Sequence, residues 1–213
     1  AAPRGQVAVL PNLVPDRYLS VEAPPHDGTV VGWGGSVATH VGDLEVTGGG
    51  VARAVAETGA RFHVVGTGVR VRRSLGLAEA PPATGWVELD EWPAALAALD
   101  VGIVPLAPSK FNEAKSWLKG LELAAVGVPF VASPTPDYVR LNAEGAGVLA
   151  SHPDEWERGV RSLVESADLR ADLAGLGRDA AARLTYEAHA GRWWDAWTEA
   201  LANRRAQRQE AAA

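Results

Sequence analysis

The sequence predicts an α/β fold, a doubly wound parallel sheet of about six strands followed by C-terminal helices. Three observations carry this prediction. Short apolar runs recur without polar alternation, the pattern of strands buried on both faces. Helical stretches separate these runs, so strand and helix alternate along the chain. After Ser151 the short runs stop and the pattern is helical almost to the end. With 213 residues, 47% of them hydrophobic, the chain is large enough to bury such a core.

Residues 1–28 read as a strand and a linker arriving from a preceding domain. Val7-Ala8-Val9-Leu10 is a short apolar run stopped by Pro11-Asn12, and Pro15, Pro24, Pro25 and Gly28 then keep the chain extended or turning. Strands are expected at 29–33, 61–66, 84–87, 101–106, 129–132 and 147–150. Helices are expected between them at 43–58, 91–99, 112–126 and 136–143. Gly48-Gly49-Gly50 would cost the first helix about 1 kcal/mol per glycine relative to alanine, so a start at Val51 competes with a start at Asp43. Further helices are expected at 153–166, 168–183 and 185–203, with Asp154 and Asp168 where N-caps or first-turn acids belong. The last helix carries Trp193, Trp194 and Trp197, and at least one of them is expected to be exposed, or buried only by another copy of the chain. The tail from Asn203 is expected to fray. These features divide the chain into an incoming segment (1–28), a main domain (29–184) and a terminal helix with its tail (185–213).

Composition removes several function classes. The net charge of −6 argues against a general nucleic-acid binder. No run reaches the length of a transmembrane helix, and no secretory signal opens the chain. The absence of cysteine excludes disulfides, thiolate metal sites and cysteine nucleophiles. No methionine occurs, even at position 1, so the chain is expected to be a fragment of something longer. The five histidines are scattered: His63 falls inside a strand and is expected in the core, and only His40 lies in a candidate site loop. No His, Asp and Glu grouping has metal-ligand spacing, and no G-x-S-x-G elbow is present.

The cations are unevenly chosen. Seventeen arginines are spread over the chain, whereas Lys110, Lys115 and Lys119 are the only lysines and lie within ten residues. A compact charge on a flexible stem suits a phosphate or a small polar ligand in a tight cleft. A solvated helix face is the plain alternative. On one continuous helix, Lys115, Lys119 and Glu122 would form a single stripe, with Ala114, Leu118, Leu121 and Ala125 forming an apolar stripe beside it. Buried charges need partners, which are either each other or a ligand. Gly127-Val128-Pro129 stops this helix and feeds the fifth strand, placing the helix N-terminus at the carboxyl end of the sheet, where doubly wound folds bind ligands and where helix N-termini favour anions.

Three glycine-bearing stretches would line the same crevice. The first is Gly32-Trp33-Gly34-Gly35-Ser36-Val37-Ala38-Thr39-His40-Val41-Gly42-Asp43, which brings backbone and hydroxyls to a ligand or makes a plain tight turn. It is neither G-x-G-x-x-G nor a P-loop. The others are Gly66-Thr67-Gly68 and Gly85-Trp86-Val87-Glu88, the latter followed by Asp90-Glu91-Trp92 at a helix start; simple punctuation is the alternative for both, and the favoured reading for Gly66-Thr67-Gly68.

Taken in order, these stretches resemble the C-terminal, donor-binding half of a retaining GT-B glycosyltransferase of the group 1 family. The first loop with Thr39-His40 and Asp43-Leu44, the strand Phe62-His63-Val64-Val65-Gly66-Thr67-Gly68 and the strand 99–106 each match a family element. The most specific match is Lys115-Ser116-Trp117-Leu118-Lys119-Gly120-Leu121-Glu122, which runs on to Ser133. The resemblance covers about residues 5–200 and implies a Rossmann-like domain that binds a nucleotide-sugar donor. It implies that Gly34, Gly35 and Ser36, with Thr39 and His40, close on the phosphates, and that Asn112, Lys115, Ser116 and Lys119 face the diphosphate. Trp86 and Val87 would take the base through backbone groups, and Glu122 would bind the ribose. The usual first glutamate of the family's pair falls at Ala114, one residue from Glu113. Relatives are usually metal-independent, so the resemblance implies no metal and no cofactor beyond the donor substrate. The resemblance further implies a cytoplasmic enzyme of hexosyl-transfer type, inactive as this fragment. Its partner would be an N-terminal acceptor domain lying outside the sequence, through which the protein contacts a membrane peripherally. A non-catalytic nucleotide-sugar-binding or interaction domain with the same fold is the alternative.

Overall fold

A computed structural model describes residues 7–210; the expectations for residues 1–6 and for the alanine end at 211–213 lie outside the described residues. After a 3-10 turn at Asp16–Ser20, the chain runs β1 (Val30–Ser36), α1 (Gly50–Thr58), β2 (Arg61–Thr67), α2 (Val71–Leu75), α3 (Trp92–Ala97) and β3 (Val101–Val104). It continues with α4 (Lys110–Glu113), α5 (Leu118–Ala125), β4 (Phe130–Ala132), α6 (Pro136–Ala143) and β5 (Val148–Leu149). Three helices follow, α7 (Pro153–Glu165), α8 (Ala167–Ala182) and α9 (Tyr186–Glu210). The five strands form one parallel sheet in the order β2-β1-β3-β4-β5.

Both faces of the sheet are buried, as the unbroken apolar runs require. Val31 and Trp33 of β1, Val64 of β2, Val101 and Ile103 of β3 and Val131 of β4 point to a core shared with α1 and α7, which includes Val51, Trp156, Val160 and Leu163. The alternate positions Val30, Val65, Val104, Phe130 and Ala132 meet Leu121, Leu123, Tyr138 and Ala180 on the opposite face. The triple glycine before α1 follows from the first of these contacts. Gly48 and Gly49 turn through left-handed φ of 51° and 78°, and Gly50 lies against the backbone of Pro153, where a Cβ would collide with α7. The helix therefore starts at Gly50, after a separate 3-10 turn at Leu44–Thr47.

Several expectations need correction. The strand expected at 84–87 makes only a bridge between Val64 and Ala83. Pro81 and Pro82 lack the N–H groups that a ladder needs, and Gly85 turns away at φ 76°. Val7-Ala8-Val9-Leu10 forms no strand. The helix expected at 112–126 is broken into α4 and α5, with residues 114–117 between them. Tertiary bonds override helix propensity there: the Asn112 amide is drawn into a buried network, and the Trp117 indole donates to the Asn12 carbonyl oxygen at 2.9 Å. Lys115 therefore does not share a continuous helix stripe with Lys119 and Glu122. The terminal helix continues past Asn203 to Glu210 rather than fraying at 203. Its Trp194 and Trp197 are 66% and 57% exposed, as expected for at least one of the three. Asp154 and Asp168 are first-turn acids, as expected, while His152 and Ser166 cap those helices. Among the described residues no helix is long and apolar enough to cross a membrane.

Candidate functional site

The strand order reverses between β1 and β3, because β1 leads to β2 on one side and β3 leads to β4 on the other. A crevice opens outside the carboxyl ends of strands at such a point. The loop after β1, the segment after β3 and the start of α5 converge there.

Asp43 ties these segments together. Its side chain is buried, and both carboxylate oxygens are fully engaged. Oδ1 accepts from the Ala107 N–H at 2.9 Å and from Asn112 Nδ2 at 2.7 Å. Oδ2 accepts from His40 Nδ1 at 2.9 Å and from Lys115 Nζ at 3.2 Å. Burial alone would raise the Asp43 pKa, but the bonds from Ala107, His40, Asn112 and Lys115 outweigh it and hold the carboxyl below its ordinary value. Asp43 is therefore an ionised anchor for the loop after β1, the segment after β3, and α4.

The anchor also sets the state of His40. Donation to Asp43 places the proton on Nδ1, leaving Nε2 as an acceptor. Lys119 Nζ meets that nitrogen at 2.9 Å and the Gly34 carbonyl oxygen at 2.9 Å. Burial and the Lys119 charge both push the His40 pKa down, so the ring is neutral at pH 7. Lys115 Nζ, 3.4 Å from Nδ1, faces a donor there and bonds instead to Asp43. Trp33 lies edge-on to the imidazole at 5.8 Å, and Lys119 Nζ stands 5.0 Å from the centre of the Trp33 ring. Burial, then the nearby Lys115, bring the Lys119 pKa down to about 8. Gly35 passes so close that a Cβ on it would lie 2.9 Å from Lys119 Nζ.

One helical turn further along α5 lies Glu122. It accepts from the Tyr18 hydroxyl at 3.4 Å and from the side chain of Trp92. Burial raises its pKa to about 7. The crevice lined by Gly34, Trp92, Lys119 and Glu122 holds only about 10 Å³, and a Cβ on Gly34 would lie 3.2 Å from the Trp92 ring. At the start of α5 the Gly120 N–H donates to the Tyr138 hydroxyl at 3.3 Å, while the N–H groups of Leu118 and Lys119 meet no acceptor among the described residues.

The structure thus gathers Gly34, Gly35, His40, Asn112, Lys115, Lys119 and Glu122 at one place. Ser36 closes β1 beside Thr67, and the exposed Thr39 donates to the Ser36 carbonyl oxygen rather than into the crevice. Ser116 accepts from the Asn12 amide at 2.7 Å, tying the incoming segment to this loop. Val87 packs on the core, and Trp86 is exposed, its indole donating to Glu88. Glu113 ends α4 with its side chain in solvent. The two lysines do not pair with Glu122, against one of the two arrangements open from sequence; Lys115 pairs with Asp43. Sequence reasoning assigned no role to Asp43, Tyr18 or Trp92. The His40-x-x-Asp43 spacing was the available signal for the first, whereas Tyr18 and Trp92 reach the site only through the fold. Among the described residues no three His, Cys, Asp or Glu side chains gather as a metal site.

Comparison with known proteins adds a family. A family model described as glycosyl transferases group 1 matches residues 30–166. No curated protein matches the chain. The Anabaena protein HepE in complex with UDP aligns at a TM-score of 0.67 and 16% identity, over 88% of this chain and 56% of that one. Sucrose-phosphate synthase from Thermosynechococcus elongatus aligns at 0.67 and 16% identity, over 93% of this chain and 54% of that one. The C-terminal domain of a glycosyl transferase group 1 family protein, LpcC from Francisella tularensis, aligns at 0.54 and 15% identity, over 80% of this chain and 92% of that one. The chain spans about half the length of HepE and of the synthase. At these identities the likeness establishes the fold, an α/β Rossmann-like domain of the kind found in GT-B glycosyltransferases.

Proposed function

The chain belongs to the group 1 glycosyl transferase family, and from that premise we propose that it is the donor-binding domain of an enzyme that transfers a sugar from a nucleotide-sugar to an acceptor. The observation that carries this reading is the bond of Lys119 to the Gly34 carbonyl oxygen beside the N-terminus of α5, with Lys115 close by on Asp43, at the crevice where the strand order reverses. Two ammonium groups and free N–H donors suit a diphosphate. In this reading they neutralise it without a metal. Glu122, one turn along, takes the ribose diol, which replaces the Trp92 indole as its partner. The Trp86-Val87 loop borders the base.

Retention at the anomeric carbon, a hexosyl donor, a cytoplasmic location and an acceptor domain outside this sequence belong to the same proposal. So does peripheral membrane contact through that absent domain. In this proposal the missing half supplies the acceptor pocket, so the chain alone binds donor and does not transfer, because the reacting groups are not positioned. A non-catalytic binding domain is the second reading, favoured by the exposure of Glu113 and by Ala114 at the family's usual glutamate position.

A thermal-shift panel of UDP, GDP, ADP and CDP tests the donor site, because a ligand that binds the native state raises the melting temperature. At least one diphosphate should raise it more than its nucleoside does. No shift with any of them at millimolar concentration would sink the proposal. Transfer by the full-length protein from the matching nucleotide-sugar separates the enzyme from the binding domain.

A further inference from the structure

His40 is close to the lysines, yet it has nothing left to give a ligand. Nδ1–H is spent on Asp43 and Nε2 on Lys119. The ring is fixed by Trp33 at its edge and by a tight turn in which the His40 N–H donates to Val37 and the Asp43 N–H to His40. Lys119 is in the opposite condition. An ammonium has three donors. Two of them go to His40 and the Gly34 carbonyl oxygen, and among the described residues no acceptor takes the third. We propose that His40 is a positioning residue: anchored by Asp43, it holds the Lys119 ammonium beside the Gly34-Gly35 end of β1 so that the third N–H meets an anionic oxygen of the donor, and it does not touch the donor itself.

The naming of the anion as a donor phosphate rests on the nucleotide-sugar reading above. The positioning itself rests on geometry. Without the imidazole, Lys119 keeps one fixed acceptor instead of two, and its flexible stem is free to follow other charges. The charged groups facing it are Lys115, Asp43 and Glu122. Lys115 repels it, and the two carboxylates lie in different directions, on the loop after β1 and on α5. A neutral acceptor at Nε2 restrains the ammonium without cancelling its charge, which a carboxylate at the same place would do. Asp43 keeps the ring in the tautomer that accepts.

The test uses the few lysines of the chain. Isotope-labelled lysine gives three ε-methylene signals, one for each of Lys110, Lys115 and Lys119, and inorganic pyrophosphate serves as a base-independent probe. In His40→Asn, which reaches Asp43 but not Lys119, pyrophosphate affinity should fall about ten-fold. His40→Gln, long enough to offer an oxygen to Lys119, should recover most of that loss. In a Lys119→Met background His40→Asn should cost nothing further. A loss that persists undiminished in that background would overturn the proposal, because His40 would then touch the anion. A second measurement needs no variant. Imidazole nitrogen shifts of the native chain should stay neutral as pyrophosphate binds while the Lys119 signal moves; proton uptake by His40 would count against positioning. Should Lys119→Met alone leave pyrophosphate affinity unchanged, the donor-phosphate reading fails and the lysine titration decides the rest. A Lys119 titration that shifts in His40→Asn keeps the positioning role, and an unmoved one removes it.

Discussion

Lys119 Nζ lies 2.9 Å from His40 Nε2, so the first turn of α5 is bonded to the far end of the loop that follows β1. The same ammonium bonds the Gly34 carbonyl oxygen, near the carboxyl end of β1 itself. One cation therefore ties the loop to the strand it leaves and fixes both to the helix whose N-terminus faces the crevice. Both partners of that bond have depressed pKa values, with burial as the main cause for each.

Diphosphate binding should therefore depend on pH through Lys119. With its pKa near 8, the charged form dominates below that value and is lost above it. Affinity for a nucleoside diphosphate should hold from pH 7 to 8 and then fall, by up to about ten-fold per pH unit. In Lys119→Met the affinity should be lower at pH 7 and flat across the same range. Calorimetric titration at pH 7, 8 and 9 measures both; a native affinity that does not change from pH 8 to 9 contradicts the assignment.

Asp43 carries a different kind of prediction, about stability. Asp43→Ala leaves Lys115, His40 Nδ1–H and the Ala107 N–H without their acceptor and takes one of two from the Asn112 amide, and breaking a buried charged pair on one side costs about 3–5 kcal/mol. Urea unfolding of native and variant chains at pH 7 gives the difference. Because the native carboxyl is held below its ordinary value, its contribution is fully present above the unfolded pKa and fades as pH falls through the folded one. The gap between the two chains should persist at pH 5 and narrow below about pH 4. A gap that is already gone at pH 5 would mean that Asp43 is not the ionised anchor.

The sheet was legible because a strand buried on both faces leaves its mark in one uninterrupted run of sequence. The runs at Val30–Trp33, Val101–Val104 and Phe130–Ala132 carry that mark and became strands. The run ending at Val87 resembled them, but two prolines and a left-handed glycine denied it a ladder. The break between α4 and α5 was not legible for a related reason. Residues 112–126 have good helix propensity, and what divides them is bonding to Asn12 and Asp43, about a hundred and about seventy residues away in the chain. The lysines were found in the sequence by their scarcity among arginines. Asp43, the partner of Lys115, carries no such mark, since one aspartate among many gives no signal until the fold brings it to His40.

The terminal helix should be readable by fluorescence. Trp33 and Trp156 are buried in the core, whereas Trp194 and Trp197 lie open on α9 and Trp86 on its loop. Iodide should quench the open three and spare the buried two. Trp194→Phe combined with Trp197→Phe should remove most of the quenchable emission that remains in Trp86→Phe. If those replacements leave the quenchable fraction unchanged, this face of α9 is covered in solution, and gel filtration then reports whether a second copy of the chain covers it.

Glu122 offers the sharpest division between a donor site and an internal charge balance. Burial raises its pKa to about 7, so the folded chain holds a proton there that the unfolded chain releases near pH 4. The folded state binds more protons in that interval, and stability must fall as pH rises from about 4 to 7. Glu122→Gln keeps the shape, cannot ionise, and should remove that slope, so at pH 8 the variant should melt no lower than the native chain. Its affinity for the nucleoside part should nevertheless drop, since a buried bond to a charged acceptor is worth about 1.5–3 kcal/mol. If instead Glu122 serves to balance Lys119, the replacement should lower the melting temperature at pH 8 and leave nucleoside affinity intact. One variant, measured for melting temperature and for affinity at a single pH, separates the two roles, because each predicts that the quantity moved by the other stays still.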